Sequence, residues 1–175
     1  MANAATLRYW VASCTVEAAG CRANDPELAQ WAMEAWQAAS GGSLTLQKTG
    51  QRGKAHIRIY WTSGNSGLYG EARPIVVDGV HGAEVFVLPS IVPPGEKDDI
   101  LRDAIVYLTC VHETGHALGL SHTAYFADIM YSFQYGGDIH EYFDRYRRQL
   151  TSRADIHKHS GISGNDRTRL LDLYH

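Results

Sequence analysis

The chain is short of cysteine, of long apolar runs and of an excess of charge of either sign. Three cysteines among 175 residues are too few for a disulfide scaffold. The best apolar run, Ile105 to Val111, is far shorter than the roughly 18 residues that a membrane-spanning helix needs. With 16 Lys plus Arg, 19 Asp plus Glu and no block of like charge, we expect neither a nucleic-acid nor a membrane partner.

A hydrophobic fraction of 45% is too high for a disordered chain, and the length favours one globular domain. Cys14 and Cys21 lie seven residues apart on either side of a predicted turn, and the sequence leaves open whether they form a bridge. Cys110 lies in a helical apolar run, which predicts a buried thiol. The first residues lack the basic and apolar segments of a secretory leader, so the chain is either cytoplasmic or a mature form.

Alternating apolar residues predict five strands and helical spacing predicts two long helices, which indicates an α/β or α+β layered fold. The predicted strands are Thr6 to Ser13, Leu44 to Leu46, Ile57 to Trp61, Leu68 to Ile75 and Ala83 to Leu88. The first long helix is predicted to begin with Asp25 as its N-cap, with Trp31 as a core anchor, and to end at Gly41. The second runs from Asp98 or Asp99 to Leu118.

Two shorter helices are predicted in the last third of the chain. Asp138 with Glu141 and Ser163 with Asp166 both resemble capping boxes. Between them, the charged run Arg145, Arg147 and Arg148 is typical of a solvated helix face.

Residues 112 to 122 carry the chemistry, and they read His-Glu-Thr-Gly-His-Ala-Leu-Gly-Leu-Ser-His. His112 and His116 are four residues apart, so on a helix they project from one face and can bind one Zn²⁺ at about 2.1 Å each. Glu113 is placed to take a proton from a water molecule. Gly119 can end the helix in a left-handed conformation, which lets His122 return as a third ligand and leaves a fourth position open.

A bare His-Glu-x-x-His pattern is weak, because two histidines and a glutamate on a solvated helix surface produce it by chance. The glycine and the third histidine at their required offsets make a chance match improbable. The full pattern therefore predicts a catalytic zinc site.

With these residues the sequence resembles the metzincin clan of zinc metallopeptidases, and most of all its matrixin (matrix metalloproteinase-like) branch. Residues 115 to 120, Gly-His-Ala-Leu-Gly-Leu, are matrixin-like word for word, and Met130 follows His122 by eight residues within Asp-Ile-Met-Tyr. The closing segment from Asp166 to Tyr174 is similar to the last helix of that branch. The order of elements agrees along the chain, although the close match covers only about Val111 to Tyr131.

The resemblance implies an α+β fold of the metzincin (zincin-like) type, with a twisted, mixed five-stranded sheet and two long helices. It implies a single catalytic domain, 1–175, divided into an upper part, 1–121, and a smaller, mostly irregular and helical lower part, 122–175. An extended substrate would lie between them and pair with an edge strand at Leu68, Tyr69 and Gly70. Met130 would form an apolar base beneath the zinc ligands, although ordinary core packing would also explain a methionine there.

The sequence departs from the matrixin pattern at several places. Ser132 and Gln134 stand where vertebrate matrixins have a proline and a tyrosine that line the main specificity pocket, so pocket depth stays open. The histidines of the family's second, structural zinc site are not evident, since Glu84 occupies one of their positions. We expect His56 and His81 to be surface residues.

The leading hypothesis is a zinc-dependent endopeptidase that hydrolyses peptide bonds of extended polypeptides by a metal-activated water, with Glu113 as general base. The alternatives are a catalytically inactive zinc-holding binding protein and a hydrolase of a non-peptide amide. One catalytic zinc ion is expected, whereas calcium cannot be read from the sequence. We expect a monomer that acts on protein or peptide and, by family habit, is secreted, with a cytoplasmic location still open.

Overall fold

The computed structural model describes residues 5–15, 20–63, 69–89 and 97–175. Its strands are β1 (Ala5–Val11), β2 (Leu44–Lys48), β3 (Ile57–Trp61), β4 (Gly70–Val77) and β5 (Val80–Val87). Its helices are α1 (Asp25–Ala39), α2 (Asp99–Ala117), α3 (Ile139–Arg147) and α4 (Gly164–Leu173). The five strands, the two long helices and the two shorter ones are therefore where the sequence predicted them, apart from Leu68, which lies outside the described residues.

The strands form one mixed sheet in the order β2-β1-β3-β5-β4. The first four strands in this order run parallel, and β4 pairs antiparallel with β5 at the edge. The β4–β5 turn consists of Asp78 and Gly79, which both have positive φ, 51° and 76°, as a two-residue hairpin requires. The α+β class with a mixed five-stranded sheet is confirmed.

The two long helices pack against each other, and α2 also covers β4 and β5. The buried Trp36 of α1 joins them, because its indole N–H donates to the Val111 carbonyl at 3.0 Å and to the Thr114 hydroxyl at 3.1 Å. Trp31 is not the core anchor that was predicted. It is half-buried and stacks on the ring of His157 with 4.8 Å between centroids.

The start of α1 also differs from the prediction. Asn24, not Asp25, occupies the N-cap position. Asp25 is fully buried and its carboxylate accepts from the guanidinium of Arg102, with 2.7 Å between Oδ2 and Nη2. Because a buried guanidinium needs a carboxylate partner, Asp25 pairs with Arg102 instead of capping the helix.

Two further side chains have partners that the sequence did not suggest. His56, expected at the surface, is 3% exposed, and its Nδ1 accepts from the Arg8 amide at 3.0 Å. Burial lowers the pKa of His56, with Arg8 adding to the effect. Arg147 does not simply face solvent but donates to Asp98 at 2.8 Å, which ties α3 to the start of α2.

Cys14 and Cys21 form a disulfide, with 5.9 Å between their Cα atoms, so the open question of their pairing is answered. Cys110 is buried and free, as predicted. None of the helices in the described ranges is both long enough and apolar enough to cross a lipid bilayer.

Candidate metal centre

The C-terminal end of α2 provides the first two histidines and the turn that leads to the third. The helix ends at Ala117 with Leu118 as its C-cap, and Gly119 adopts a φ of +102°. The Gly119 amide donates to the His116 carbonyl at 2.9 Å, and the Leu120 amide donates to the Gly115 carbonyl at 3.0 Å. This pair of hydrogen bonds is the Schellman motif that ends many helices. The chain therefore reverses beside the helix, and His122 comes to lie next to His112 and His116.

The three imidazoles converge through their Nε2 atoms. His122 Nε2 lies 3.1 Å from His112 Nε2 and 3.1 Å from His116 Nε2. Ligand atoms on a tetrahedral zinc ion are about 3.4 Å apart when each lies about 2.1 Å from the metal. Among the residues that the structure describes, this is the one group of three or more His, Cys, Asp or Glu side chains that could hold a metal.

The opposite nitrogens of two of these rings are held by main-chain carbonyls. His112 Nδ1 donates to the Ile129 carbonyl at 2.6 Å, and His116 Nδ1 donates to the Leu120 carbonyl at 2.8 Å. Because Nδ1 carries the proton in both rings, Nε2 presents a lone pair. Two lone pairs presented side by side in this way are the donor arrangement that a bound cation needs.

The surroundings also favour neutral imidazoles. Burial lowers the pKa of His112 to about 4, although its hydrogen bond to the Ile129 carbonyl acts in the opposite direction. Burial also lowers the pKa values of His116 and His122. Since zinc binds the neutral ring, the donor set fits this metal at neutral pH.

Glu113 points into the same cavity from the α2 face next to the histidines. The residue is 8% exposed, and burial, with a contribution from Glu71, raises the pKa of its carboxyl group to about 7. The backbone of Gly70 lies close to the Glu113 side chain. A Cβ added at position 70 would be only 2.9 Å from Cγ of Glu113. The edge strand therefore packs against the side chain of Glu113.

A turn from Thr123 to Ser132 closes the site from below. The Thr123 amide donates to the Met130 carbonyl, and the Ser132 amide donates to the Thr123 carbonyl. Met130 is fully buried, and its sulfur lies so close to Gly115 that a Cβ there would be 2.5 Å away. Met130 thus packs directly under the helix that carries His112 and His116.

The buried carboxylate of Asp166 fixes this turn from α4. It accepts from the Ile129 amide at 2.7 Å, from the Met130 amide at 3.4 Å and from the Ser163 amide at 2.9 Å. The capping box of Ser163 and Asp166 that the sequence predicted is present, and it serves both the helix end and the turn.

A cavity of about 520 Å³ surrounds the three histidines and Glu113. Tyr69 and Gly70, two of the three predicted substrate-binding residues, line it; Leu68 is outside the described residues. Ser132 and Gln134 line it too. The rest of its wall includes apolar side chains from α2 and α3: Leu108, Ile139, Tyr142 and Phe143.

A family model of the matrixins matches residues 3–142. The chain belongs to the matrixin family. Membership assigns this matrixin in general terms to the zinc metallopeptidases, and the resemblance to the metzincins is confirmed. The three histidines at the end of α2 supply the donor set that a zinc enzyme needs.

Among solved structures, archaemetzincin from Methanopyrus kandleri is similar to this matrixin. The two chains are 15% identical over 96% of this chain and 94% of the other, with a TM-score of 0.45. No curated protein sequence matches significantly.

Sequence reasoning found the histidines of the matrixin site but not what holds them. The carbonyl of Ile129 and the hydroxyl of Tyr142 were not recognised, because neither residue type signals a metal site. The spacing of Tyr142 is that of a residue on the packing face of its helix, and nothing in the sequence distinguishes Trp36 from other apolar residues. The capping pattern of Asp166 was visible, whereas its bonds to the turn could not be inferred from spacing.

Proposed function

We propose that the protein is a zinc-dependent endopeptidase that cleaves extended polypeptides, with His112, His116 and His122 as metal ligands and Glu113 as general base. The observation that carries the proposal is the convergence of three Nε2 atoms beside a buried carboxyl group and an antiparallel edge strand. A purely structural zinc site would have no use for that carboxyl group.

The edge strand supports binding of an extended main chain. The Tyr69 carbonyl accepts from the Leu88 amide at 3.0 Å, so the backbone of Tyr69 faces the sheet. Because hydrogen bonding alternates along an antiparallel pair, the amides and carbonyls of Gly70 and Ala72 face away from β5, towards the cavity that both residues line. Pro74, which has no amide to offer, occupies the next outward position.

The shape of the groove supports cleavage within a chain rather than at its end. A second cavity of about 230 Å³ adjoins the first and shares Ala72 and His116 with it. It extends along β4 to Pro74 and is also lined by His81 of β5. A polypeptide laid against β4 would therefore have room on both sides of the histidines.

When bound, zinc would act as a Lewis acid that acidifies a water molecule and polarises the scissile carbonyl. Glu113 accepts the proton from the attacking water and returns it to the leaving amine. Gly70 and Ala72 hold the substrate main chain so that the scissile carbonyl lies between Glu113 and the histidines. Met130 and Asp166 keep the underlying turn in place.

The walls of the larger cavity support a preference for a bulky apolar side chain next to the scissile bond. Leu108, Tyr142 and Phe143 are buried and line this space, with Ser132 and Gln134 as polar neighbours. Profiling of cleavage sites by mass spectrometry on a peptide library would test this preference.

The disulfide between Cys14 and Cys21 supports an oxidising compartment, so we propose that the protein acts outside the cytoplasm. We further propose that it acts as a monomer on protein substrates. Size-exclusion chromatography with light scattering tests the monomer. Cell fractionation tests the location, since the native protein should be found outside the cytoplasm.

The central experiment compares the purified wild-type protein with Glu113→Gln on a quenched peptide library, with and without 1,10-phenanthroline. The isosteric amide cannot accept a proton, so we expect turnover to fall by about 10²- to 10⁴-fold while one zinc per chain is retained. Asp78→Asn, a loss of charge at the exposed β4–β5 turn, serves as a matched control and should cleave like the wild type.

Each alternative function predicts a different result. A zinc-holding binding protein would bind the metal but cleave nothing, and a hydrolase of a non-peptide amide would leave every peptide intact while turning over amide-linked amino sugars. Undiminished cleavage by Glu113→Gln would contradict the assignment of the base.

A further inference from the structure

One main-chain carbonyl in the metal centre accepts two hydrogen bonds from side chains. The carbonyl of Ile129 accepts from His112 Nδ1 at 2.6 Å and from the hydroxyl of Tyr142 at 2.7 Å. A carbonyl oxygen has two lone pairs, and both are occupied here. The orientation of this carbonyl is therefore fixed from two directions.

Tyr142 is itself held rigidly in α3. Its side chain is buried, with 4% of the residue exposed, and the rings of Phe133 and Phe143 meet it edge-on at 5.0 and 5.1 Å. The guanidinium of Arg145 covers one of its faces at 5.0 Å. Phenylalanine would make the same ring contacts, so packing alone does not account for the hydroxyl, which points at Ile129.

We propose that Tyr142 is a positioning residue for the metal ligand His112, acting through the Ile129 carbonyl. The Nδ1–H of His112 needs an acceptor in a fixed place, because that bond sets the tautomer and aims the Nε2 lone pair at the metal. Without the hydroxyl, the carbonyl keeps one partner and can tilt, and the His112 ring tilts with it. The inference rests on the zinc site of the proposed function.

The same helix offers a matched control one turn later. Tyr146 is 3% exposed, and its hydroxyl donates to the His159 carbonyl at 2.6 Å. It thus has the same burial and the same kind of bond, but its acceptor makes no contact with a metal ligand. A general effect of losing a buried hydroxyl should appear in both tyrosines, whereas an effect on the metal should appear only at position 142.

The experiment measures the zinc dissociation constant of Tyr142→Phe and Tyr146→Phe by competition with a chromophoric chelator. Partners that orient a zinc-binding histidine are worth about 10- to 100-fold in affinity, and Tyr142 acts one bond further away, so we expect a loss of roughly tenfold. Substitution with Co²⁺ gives an independent readout, because its visible absorption bands should shift in Tyr142→Phe. Tyr146→Phe should match the wild type in both measurements.

The inference is overturned if Tyr142→Phe binds zinc as tightly as the wild type and leaves the Co²⁺ bands unchanged. It is also overturned if both variants lose affinity equally, since the effect would then be one of general stability. Thermal unfolding of the zinc-loaded variants tests whether both are folded. A wild-type chain that takes up no zinc would instead contradict the proposed function itself.

Discussion

The two halves of the histidine site are built by different means. His112 and His116 are brought together by one turn of α2, and any helix would do the same. His122 and the turn at Ile129 and Met130 have no regular structure of their own, and the turn is held by Tyr142 of α3 and Asp166 of α4. The spacing of the two helical ligands is therefore a local property of the sequence, whereas the loop half depends on contacts with residues as many as 37 positions away.

This difference predicts unequal roles for the ligands. We expect His116→Ala and His122→Ala each to weaken zinc binding by more than about a hundredfold, since a lost ligand costs more than a lost supporting bond. Of the two, His122→Ala should keep the higher residual affinity, because His112 and His116 remain as a preorganised pair on one helix. In His116→Ala the remaining pair spans the helix and the loop.

Zinc stoichiometry and affinity, measured on dialysed protein, distinguish these outcomes. Unchanged zinc content in either variant would remove that histidine from the ligand set. A higher residual affinity in His116→Ala would mean that the loop is as well ordered as the helix, and the comparison of the two halves would fail.

The loop half should also be the more sensitive to a change far from the metal. In Asp166→Asn, the three main-chain amides of Ile129, Met130 and Ser163 lose a charged acceptor, and at least one of these donors then meets an NH₂ group. Bonds to charged groups contribute about 1.5–3 kcal/mol each, so we expect the free energy of unfolding to fall by about 2–3 kcal/mol, with weaker zinc binding. Denaturation by urea measures the first effect and chelator competition the second.

Asp172→Asn is the matched control for this change, because Asp172 lies on the same helix with an exposed side chain. It should unfold at the wild-type urea concentration. If Asp166→Asn lowered stability but left zinc affinity untouched, the turn at Met130 would not be coupled to the ligands.

The sequence predicted the parts of this molecule that depend on local pattern. The spacing of His112 and His116 and the position of Gly119 predicted a helix followed by a reversal. Alternation predicted the inner strands, since β1, β3 and β5 bury alternate residues. The hairpin at Asp78 and Gly79 is another local signal, because both residues tolerate a positive φ.

The predictions that were wrong concern polar side chains whose partners come from elsewhere in the chain. Asp25 has the right residue type for an N-cap, but Arg102, 77 positions away, takes its carboxylate. His56 was expected at the surface because apolar and polar residues alternate in this segment. The Arg8 amide of the neighbouring strand, however, donates a hydrogen bond that satisfies the buried imidazole. No pattern within one segment contains such information.

Gly119 is the residue at which the helical half of the site becomes the loop half, and it gives the smallest of the expected effects. Its φ of +102° is one that residues with a Cβ rarely adopt, and the nearest atom that an added Cβ would meet is Leu173 Cδ1 at an ordinary 3.4 Å. The cost of Gly119→Ala therefore comes from the backbone, about 1–2 kcal/mol. Gly53→Ala, where φ is not positive and no atom lies within 4 Å, should change little.

The informative comparison is between the effect of Gly119→Ala on the free energy of unfolding and its effect on zinc affinity, measured by urea denaturation and chelator competition. If the strain is relieved by a shift of the turn, His122 moves and zinc affinity falls, while a two-ligand site on the helix persists. If α4 holds the turn in place, through Tyr174 on the Leu118 carbonyl and Arg169 on the Ser121 carbonyl, the strain appears as lost stability alone. Because both of these bonds come from α4 and its end, we expect the second result, and a large loss of zinc affinity with unchanged stability would contradict it.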